Sequence, residues 1–489
     1  MPIIHTIIDF ERSAIFLESF LNSVAEINGA VNSVIWGWPL MILLLGIGLW
    51  LTIRTHGVQF GKFGYVMKNT LGKIFKKEKT ADKGAVTPFQ AVSTALSATV
   101  GTGNIAGVAG AIALGGPGAV FWMWVAALLG MATKYSEIVL AIRYRERNKK
   151  GDWIGGPMYY IKNGLGKNWK WLAAIFCILG TLASFGIGNI AQINTISSAF
   201  NNVITNFSGI ESNVTYLIIG IILAILLGLI LIGGIKRIGA VTEKLVPFMA
   251  AIYIIFALVI IFANIQNIGS AFSMIFSCAF GDFRAIGGGA AGFGIMMAMR
   301  RGFSRGMFSN EAGLGSSPIA HAAADTKGPV QQGIYGVFEV FIDTIVICTL
   351  TALVILMSGV DITWGQNAGI ELTTSAFSTL LGQDFATIFM AVAIFCFAFS
   401  TAIGWGLYGS RCVEYLFGTK AIRFYQVIFI LVVIAGATMD LGLVWDISDT
   451  LNGMMAIPNL IALAALSGVI AKLTRDHFNE LKAGEQVRK

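Results

Sequence analysis

Long apolar runs recur along nearly all of this 489-residue chain and constrain its fold more than any other feature. A stretch of about 20 apolar residues can cross the hydrocarbon core of a bilayer as a helix. Residues 3–21 are apolar but contain acids, which predicts an interfacial helix. Eleven transmembrane spans are predicted for an all-α membrane protein: 33–53, 87–114, 118–142, 170–200, 214–235, 241–265, 286–303, 331–358, 384–410, 422–439 and 446–472.

The composition excludes most soluble classes of protein. Only 12% of the residues are charged, whereas an average soluble domain has about 25%. The net charge is +8, but the basic residues lie between the apolar runs, so no nucleic-acid partner is expected. The 5 cysteines and 4 histidines lack the spacing of a disulfide framework or a metal site. The expected surroundings are therefore a lipid bilayer.

The distribution of Lys and Arg predicts the orientation. All but three of the 34 Lys and Arg residues fall in segments that alternate spans would place on one side of the membrane. The exceptions are Arg12, Arg284 and the intramembrane Lys134. Because cytoplasmic loops carry the excess of Lys and Arg, we expect the N-terminus outside and the C-terminus inside the cell membrane.

Two spans contain glycine-rich segments, at residues 97–104 and 287–294. Lipid offers no hydrogen-bond partner to a broken helix, so a break inside a span must face protein, a cavity or a ligand. If the first span is set aside, each cluster lies in the first span of a group of five. Because five is odd, the two groups start from opposite sides of the membrane. The two groups would therefore form an inverted repeat, whose paired broken helices mark the binding site of a transporter. Close helix packing is the alternative explanation for either cluster alone.

The predicted organisation has five parts. They are an N-terminal interfacial segment at 1–30, an extra transmembrane helix with a cytoplasmic loop at 31–85, the first repeat at 86–266, the second repeat at 267–473 and a cytoplasmic tail at 474–489. Free N–H groups at such breaks suit a carboxylate, and free carbonyls suit a cation or an ammonium group. A zwitterionic amino acid together with Na⁺ satisfies both.

Three motifs resemble the alanine or glycine:cation symporter family: Gly302–Ser316, Gly101–Ala109 and Gly155–Tyr160. The resemblance covers nearly the whole chain. It implies a LeuT-type 5+5 inverted repeat with one extra N-terminal helix, and Na⁺-coupled import of alanine or glycine. It implies no enzymatic activity and no obligate protein partner.

The resemblance also implies site residues. The substrate would contact Thr102, Gly103 and Asn104 at the first break and Gln192 in the fourth span. Gly288, Gly289 and Phe293 would contribute from the second glycine cluster. The Na⁺ ligands would be backbone carbonyls of Ser97, Val100 and Phe397 with the hydroxyls of Ser400 and Thr401. Such a neutral oxygen site favours Na⁺ over a divalent ion.

Other polar residues allow two interpretations each. Gln192 either defines the substrate pocket or bonds to a neighbouring helix, and Trp405 either walls the pocket or packs in the core. Lys134 and Glu137 lie three residues apart, which predicts an ion pair near the cytoplasmic end, with a gate element as the alternative. Arg300, Arg301 and Arg305 with Glu311 resemble a cytoplasmic gate, with ordinary anchoring by basic residues on the cytoplasmic side as the alternative. Asp282 and Arg284 could form an outer gate.

Three rival functions remain open. A symporter of the same fold could use H⁺ or carry another solute. A channel would need a continuous polar pore, which paired broken helices argue against. A membrane-embedded enzyme would need a nucleophile with its base or a set of metal ligands, and no predicted span contains either.

Overall fold

The apolar runs fold into long helices in the computed structural model, which describes residues 22–73, 84–209, 213–282, 294–366, 368–439 and 442–487. The predicted interfacial helix at 3–21 lies outside these residues. The helices of the first half are α1 (22–35), α2 (Trp38–Arg54), α3 (Val58–Gly61), α4 (Phe63–Asn69), α5 (Pro88–Thr99), α6 (Ala106–Gly115), α7 (Gly118–Arg143), α8 (Pro157–Tyr160), α9 (Lys170–Phe185), α10 (Ala191–Ser208), α11 (Asn213–Leu231) and α12 (Gly234–Ala263).

The second half continues the helical pattern. Its helices are α13 (Ile268–Ala279), α14 (Ile295–Asn310), α15 (Pro318–His321), α16 (Pro329–Val340), α17 (Thr349–Met357), α18 (Ile370–Leu381), α19 (Gln383–Phe417), α20 (Ala421–Thr438), α21 (Gly442–Ala465) and α22 (Ser467–Val487). Wider π-helical turns occur at Ile161–Leu165, Gly186–Ile190 and Phe341–Cys348. Short 3₁₀ turns occur at Leu71–Lys73, Thr102–Asn104, Lys167–Trp169 and Ile265–Asn267.

Eight helices among the described residues are long and apolar enough to cross a membrane. The pair Asp446–Ala465 and Ser467–Ala483, bent by 59°, raises the number to nine at most. The predicted spans at 87–114 and 286–303 are the two that this test does not include. The predicted count of eleven therefore depends on how interrupted helices are counted.

The first predicted break is present. Helix α5 begins with a capping box between Thr87 and Gln90 and ends at Thr99. Val100 and Gly101 are extended, and a 3₁₀ turn precedes α6. A helix cannot continue through extended backbone, so this span consists of two short helices.

The second predicted break, at 287–294, lies outside the described residues except for Gly294, which precedes α14. The described chain instead interrupts its helix further on, between α14 and α15. Glu311, Gly313 and Gly315 there have φ of 55°, 92° and 82°, all in the left-handed region. Only glycine adopts this region without steric cost, so Gly313 and Gly315 permit the turn.

A short antiparallel pair of strands, β1 (Glu146–Arg147) and β2 (Trp153–Ile154), follows α7. Val86 forms a parallel bridge with Ala324, through hydrogen bonds of 3.0 Å to the carbonyl of Ala323 and 2.8 Å from the N–H of Asp325. This bridge joins the start of the first broken helix to the end of the second.

Helix α19 lies at the centre and packs against α5, α9, α10 and α12. Its backbone comes very close to α5, because a Cβ added at Gly404 would lie 2.7 Å from the Cβ of Ala98. The tight packing places residues 400–405 directly beside the first break.

Candidate functional site

Four of the five predicted Na⁺ ligands meet where α5 ends against α19. The Oγ of Ser400 donates to the carbonyl of Ser97 at 3.2 Å and to that of Phe397 at 2.9 Å. The Oγ1 of Thr401 donates to the same Phe397 carbonyl at 3.0 Å. Val100, the fifth, is buried at the first residue of the break. The result is a buried cluster of neutral oxygen atoms.

Gly101 closes this cluster on one side. A Cβ added there would lie 2.5 Å from the Oγ1 of Thr401, so no side chain fits. The N–H of Gly101 is bound by the Oδ1 of Asn104 at 2.9 Å. The glycine therefore permits backbone of the break to touch α19.

The three predicted substrate residues at the first break have different surroundings. Thr102 and Gly103 are buried in the 3₁₀ turn. A Cβ added at Gly103 would be in ordinary contact with Phe308, at 3.4 Å. The amide of Asn104 is satisfied within the protein, because its Nδ2 donates to the Oδ1 of Asp343 at 2.6 Å while its Oδ1 accepts from Gly101. Asn104 thus fixes the shape of the break.

Gln192 does not bond to a neighbouring helix through its amide nitrogen. Its Nε2 donates to the carbonyl of Ile187, in the π-helical turn of its own span, at 3.0 Å. Its Oε1 is buried and has no hydrogen-bond partner in the described chain. Buried polar atoms are nearly always satisfied, so an orphaned acceptor is a candidate ligand contact.

Trp405 links α19 to the second break. Its Nε1 donates to the Oε1 of Glu311 at 3.0 Å, and the Oε2 of Glu311 accepts from Ser316 at 2.5 Å. The backbone of the π-helical turn lies directly against the Trp405 side chain, because a Cβ added at Gly188 would be 2.2 Å from the Trp405 Cβ. Both interpretations of Trp405, as a wall and as a packed core residue, fit this position. The other predicted substrate residues, Gly288, Gly289 and Phe293, lie outside the described residues.

The predicted ion pair between Lys134 and Glu137 is wrong, because Lys134 pairs with a different carboxylate. The Nζ of the fully buried Lys134 lies 3.3 Å from the Oε2 of Glu339 and donates to the carbonyl of Asn310 at 2.7 Å. Glu137 instead accepts from the N–H of Gly313 at 3.1 Å and from Asn459 at 2.5 Å. Spacing along one helix suggests a local pair, but tertiary packing brings Glu339 of α16 to Lys134, and Gly313 and Asn459 to Glu137.

The predicted cytoplasmic gate of Arg300, Arg301 and Arg305 with Glu311 is also wrong. The carboxylate of Glu311 bonds to Trp405 and Ser316. Arg301 packs beside the last residue of α6, since a Cβ added at Gly115 would lie 2.8 Å from the Arg301 Cβ. That end of α6 is predicted to lie on the outer side, so the predicted sides of Arg301 and of this end of α6 do not agree. The outer pair cannot be compared, because Arg284 lies outside the described residues.

The sequence reasoning missed two acidic residues in the span at 331–358. Glu339 binds both Lys134 and the ring of His321, and it accepts from Ser317 at 2.9 Å. Asp343 binds Asn104, Ser309 and Thr344. The signal was present, because an acidic residue inside an apolar span is a functional candidate by default. No group of three metal-ligating His, Cys, Asp or Glu side chains occurs in the part of the chain that the structure describes.

A bundle of membrane-length helices with two interrupted helices around a buried polar site is the architecture of a secondary transporter. Sequence comparison makes the class specific. Residues 21–489 match the sodium:alanine symporter family, and the chain belongs to that family. It is a transporter and not an enzyme.

Curated relatives align over almost their full length. The sodium/alanine symporter AgcS of Methanococcus maripaludis is 47% identical over 93% of this chain and 97% of its own. The probable sodium/glutamine symporter GlnT of Bacillus subtilis is 39% identical over 94% of this chain and 92% of its own. These names support amino acid–cation symport for the family.

Among solved structures, MhsT in complex with L-phenylalanine aligns with a TM-score of 0.53 at 14% identity. The alignment covers 80% of this chain and 99% of MhsT. At this identity the match shows the fold alone. It confirms the LeuT-like transporter fold, while the count of eleven helices and the 5+5 repeat stay predictions.

Proposed function

We propose that this protein is a sodium-coupled symporter that imports small neutral amino acids, alanine or glycine, across the cell membrane by alternating access. The N-terminus would lie outside and the C-terminus inside. One observation carries the proposal: the helix that ends at the first break places the carbonyl of Ser97 against the hydroxyl of Ser400, where the hydroxyls of Ser400 and Thr401 also meet the carbonyl of Phe397 within α19.

The chemistry of this oxygen cluster favours Na⁺. A hydroxyl that now donates to a carbonyl can rotate its hydrogen away and present a lone pair to a cation. The carbonyls of Ser97, Val100 and Phe397 would then complete the coordination. No carboxylate takes part, and divalent ions usually recruit carboxylates, so a monovalent ion fits better.

The substrate would lie on the other side of the first break. The N–H groups of Thr102 and Gly103 suit its carboxylate, and the orphaned Oε1 of Gln192 suits its ammonium group. Trp405 would limit the size of the side chain. The residues predicted from the second glycine cluster, Gly288, Gly289 and Phe293, lie outside the described residues and precede the 16-residue helix α14, so the contribution of the second repeat is proposed for the turn at 311–317 instead.

Two similar helix pairs support the inverted repeat of residues 86–266 and 267–473. In each, an interrupted span precedes a long helix: α5 and α6 precede α7, and α14 and α15 precede the span of α16 and α17. We therefore propose the second break at 311–317, while the predicted break at 287–294 lies outside the described residues except for Gly294.

A second candidate is a symporter of the same fold that carries another solute or uses H⁺. Because the relative GlnT is named a probable sodium/glutamine symporter, glutamine is included among the substrates tested. The gradient experiment below distinguishes the coupling ions, and competition by unlabelled amino acids distinguishes the substrates.

The experiment is uptake of labelled alanine into proteoliposomes containing the purified protein, under an inward Na⁺, K⁺ or H⁺ gradient. Accumulation above equilibrium with Na⁺ only is expected. Accumulation driven by H⁺ alone would overturn the ion assignment. Absence of accumulation of alanine or glycine, in vesicles that accumulate glutamine, would overturn the substrate assignment.

Thr401→Ala tests the ion site directly. We expect it to lose Na⁺-dependent uptake, because one of the two hydroxyl ligands is removed. Thr401→Ser, which keeps the hydroxyl, is the matched control and should retain Na⁺ dependence. Normal sodium dependence of the alanine variant would show that the ion binds elsewhere.

A further inference from the structure

A polar cavity of about 570 Å³ lies at one end of the helix bundle. It is bounded by β1 and the turn after it, by α8 with the π-helical turn that follows, by the start of α9 and by the end of α19. Glu414 in its lining is about 20 Å along α19 from Thr401, so the cavity is separate from the proposed sodium site. The proposed function does not use it.

The charges that line this cavity are unequal. Two carboxylates, those of Glu146 and Glu414, face four basic side chains. The basic side chains are those of Arg147, Lys149, Lys162 and Lys170. Because the number of positive charges is twice that of negative ones, the cavity favours an anion.

Both carboxylates already have cationic partners inside the protein. The Oε1 of Glu146 lies 2.7 Å from the Nζ of Lys162. The Oε2 of Glu414 accepts from the Nη1 of Arg411 at 2.5 Å, and Arg411 also lies 3.9 Å from Asp152. These pairs neutralise each other, so neither carboxylate cancels the remaining positive charge.

Lys149 and Lys170 carry this surplus. Both residues are exposed, and neither side chain has a hydrogen bond or an ion pair in the part of the chain that the structure describes. An ammonium group has three donors and no acceptor, so two such groups at one cavity are suited to a phosphate. Arg147 adds its charge nearby, with its guanidinium carbon 4.4 Å from the centre of the Trp153 ring.

Two lipid-facing stripes begin beside the cavity, on helices that both pack against α19. The exposed apolar stripe on α9 consists of Trp171, Ile175, Ile178 and Leu182. The stripe on α20 consists of Phe424, Val427 and Leu431. Exposed apolar side chains at this helical spacing form one face, which in a membrane-length bundle lies against lipid. The cavity is therefore continuous with the acyl-chain region of the bilayer.

Aromatic residues mark the depth of the cavity in the membrane. Trp169 and Trp171 are exposed and stacked, with ring centroids 6.1 Å apart, where α9 begins. Phe417, the last residue of α19, is also exposed. Tryptophan is enriched at the level of the lipid headgroups, so the cavity lies at that level.

We propose that this cavity binds one anionic phospholipid, with its phosphate between Lys149 and Lys170 and its acyl chains along the stripe of α9. Basic pockets between transmembrane helices bind phospholipid headgroups in this way. A zwitterionic lipid fits less well, because its own cation would meet the two ammonium groups. The proposed orientation places the cavity on the cytoplasmic side, but the contacts do not depend on the orientation or on transport.

Native mass spectrometry of the purified full-length protein measures lipid binding directly. The protein in detergent is titrated with anionic phosphatidylglycerol and, separately, with zwitterionic phosphatidylcholine that has the same acyl chains. We expect one phosphatidylglycerol to bind with an apparent dissociation constant about tenfold lower than that of phosphatidylcholine. Equal binding of the two lipids would overturn the proposal.

The double variant Lys149→Gln with Lys170→Gln removes both free ammonium groups. It should weaken binding of phosphatidylglycerol about 10- to 30-fold. Lys149→Arg with Lys170→Arg keeps the charges and should retain binding. The matched control, Lys236→Gln with Lys327→Gln, removes the same charge from exposed residues outside the cavity and should bind like the wild type. Equal weakening in both glutamine variants would mean a general attraction to basic surface and no defined site.

Inorganic phosphate distinguishes a lipid site from a site for a free anion. At the concentration of the lipid, phosphate should not displace phosphatidylglycerol, because it lacks the acyl chains that contact α9. Displacement at that concentration would show that the cavity binds a free anion, and the lipid proposal would be wrong. Each of these outcomes leaves the proposed sodium-coupled transport standing, because no measurement involves Na⁺ or uptake.

Discussion

The two interrupted helices solve the same physical problem with different chemistry. A break inside the membrane frees backbone groups that must find partners. At the first break the partners are neutral: Asn104 binds the N–H of Gly101, and Ser400 binds the carbonyl of Ser97. At the second break they are charged. Lys134 binds the carbonyl of Asn310, and Glu137 binds the N–H of Gly313.

Because of this difference, the first break is suited to binding a ligand and the second to holding the helices in place. A hydroxyl bound to a carbonyl can rotate and exchange that partner for a cation, so the first break can accept a ligand at low cost. A buried ammonium or carboxylate cannot leave its partner without a large desolvation penalty. The second break is therefore fixed to α7, and the bridge from Val86 to Ala324 ties the two broken helices together.

The largest effect is expected from Lys134→Met. It removes the ammonium group that binds Glu339 and the carbonyl of Asn310, and it leaves a buried carboxylate with less compensation. Breaking a buried pair in this way costs about 3–5 kcal/mol. Thermal unfolding in detergent should show a strongly destabilised protein.

The double variant Lys134→Met with Glu339→Gln is the matched control. It removes the charge of both partners, so it should recover part of the lost stability. If the double variant loses as much free energy of unfolding as the two single variants together, the pair of Lys134 and Glu339 does not stabilise the second break.

Gly101→Ala should damage the first break more selectively. The added Cβ would lie 2.5 Å from the Oγ1 of Thr401, so the break or the hydroxyl must move. Overpacking of this kind costs about 1–3 kcal/mol, which weakens Na⁺ binding about 5- to 150-fold. The Na⁺ concentration for half-maximal uptake measures it.

Gly103→Ala is the same chemical change two residues away. Its Cβ would meet Phe308 at 3.4 Å, which is ordinary contact. The expected change is below about 1 kcal/mol. Equal effects of the two alanines on Na⁺ dependence would place the ion away from Gly101.

The sequence predicts the position of the first break but not the interruption at 311–317. Gly101 and Asn104 lie in one short motif, and a local motif was enough to locate the first break. The oxygen cluster with Ser400 was found only through resemblance, because residues about 300 apart in sequence have no visible relation until the helices pack. The predicted break at the richest glycine cluster lies outside the described residues except for Gly294, and the sequence does not predict the interruption at 311–317, because Gly313 and Gly315 stand among polar residues.

The charged partners were harder to predict for the same reason. Lys134 and Glu137 are near neighbours in sequence, and a local ion pair was the simplest interpretation. Their actual partners come from the end of α14, the second break, α16 and α21, so tertiary packing decides the pairing. Only the presence of Glu339 and Asp343 in an apolar span signalled that more charge is buried there.

Trp405→Phe should show a smaller effect at the second break. It keeps an aromatic ring against Gly188 but removes the hydrogen bond to Glu311. The expected cost is about 1–2 kcal/mol, because Glu311 keeps its bond from Ser316. Thermal stability and half-saturation by alanine should change, whereas half-saturation by Na⁺ should not. A change confined to Na⁺ would contradict the division between the two breaks.

Ser97→Ala should have the smallest effect, although Ser97 is a proposed Na⁺ ligand. Only the carbonyl of Ser97 meets Ser400, and its own hydroxyl donates to the carbonyl of Thr94 at 2.7 Å within the helix. Half-saturation by Na⁺ should therefore stay within about 0.5 kcal/mol, a factor of about two. Ser400→Ala is the contrasting variant, because its hydroxyl is the proposed ligand, and it should weaken Na⁺ binding clearly. A loss of Na⁺ dependence in Ser97→Ala equal to that in Ser400→Ala would mean that the Ser97 hydroxyl turns toward the ion. The first break would then offer a side-chain ligand where only backbone is proposed.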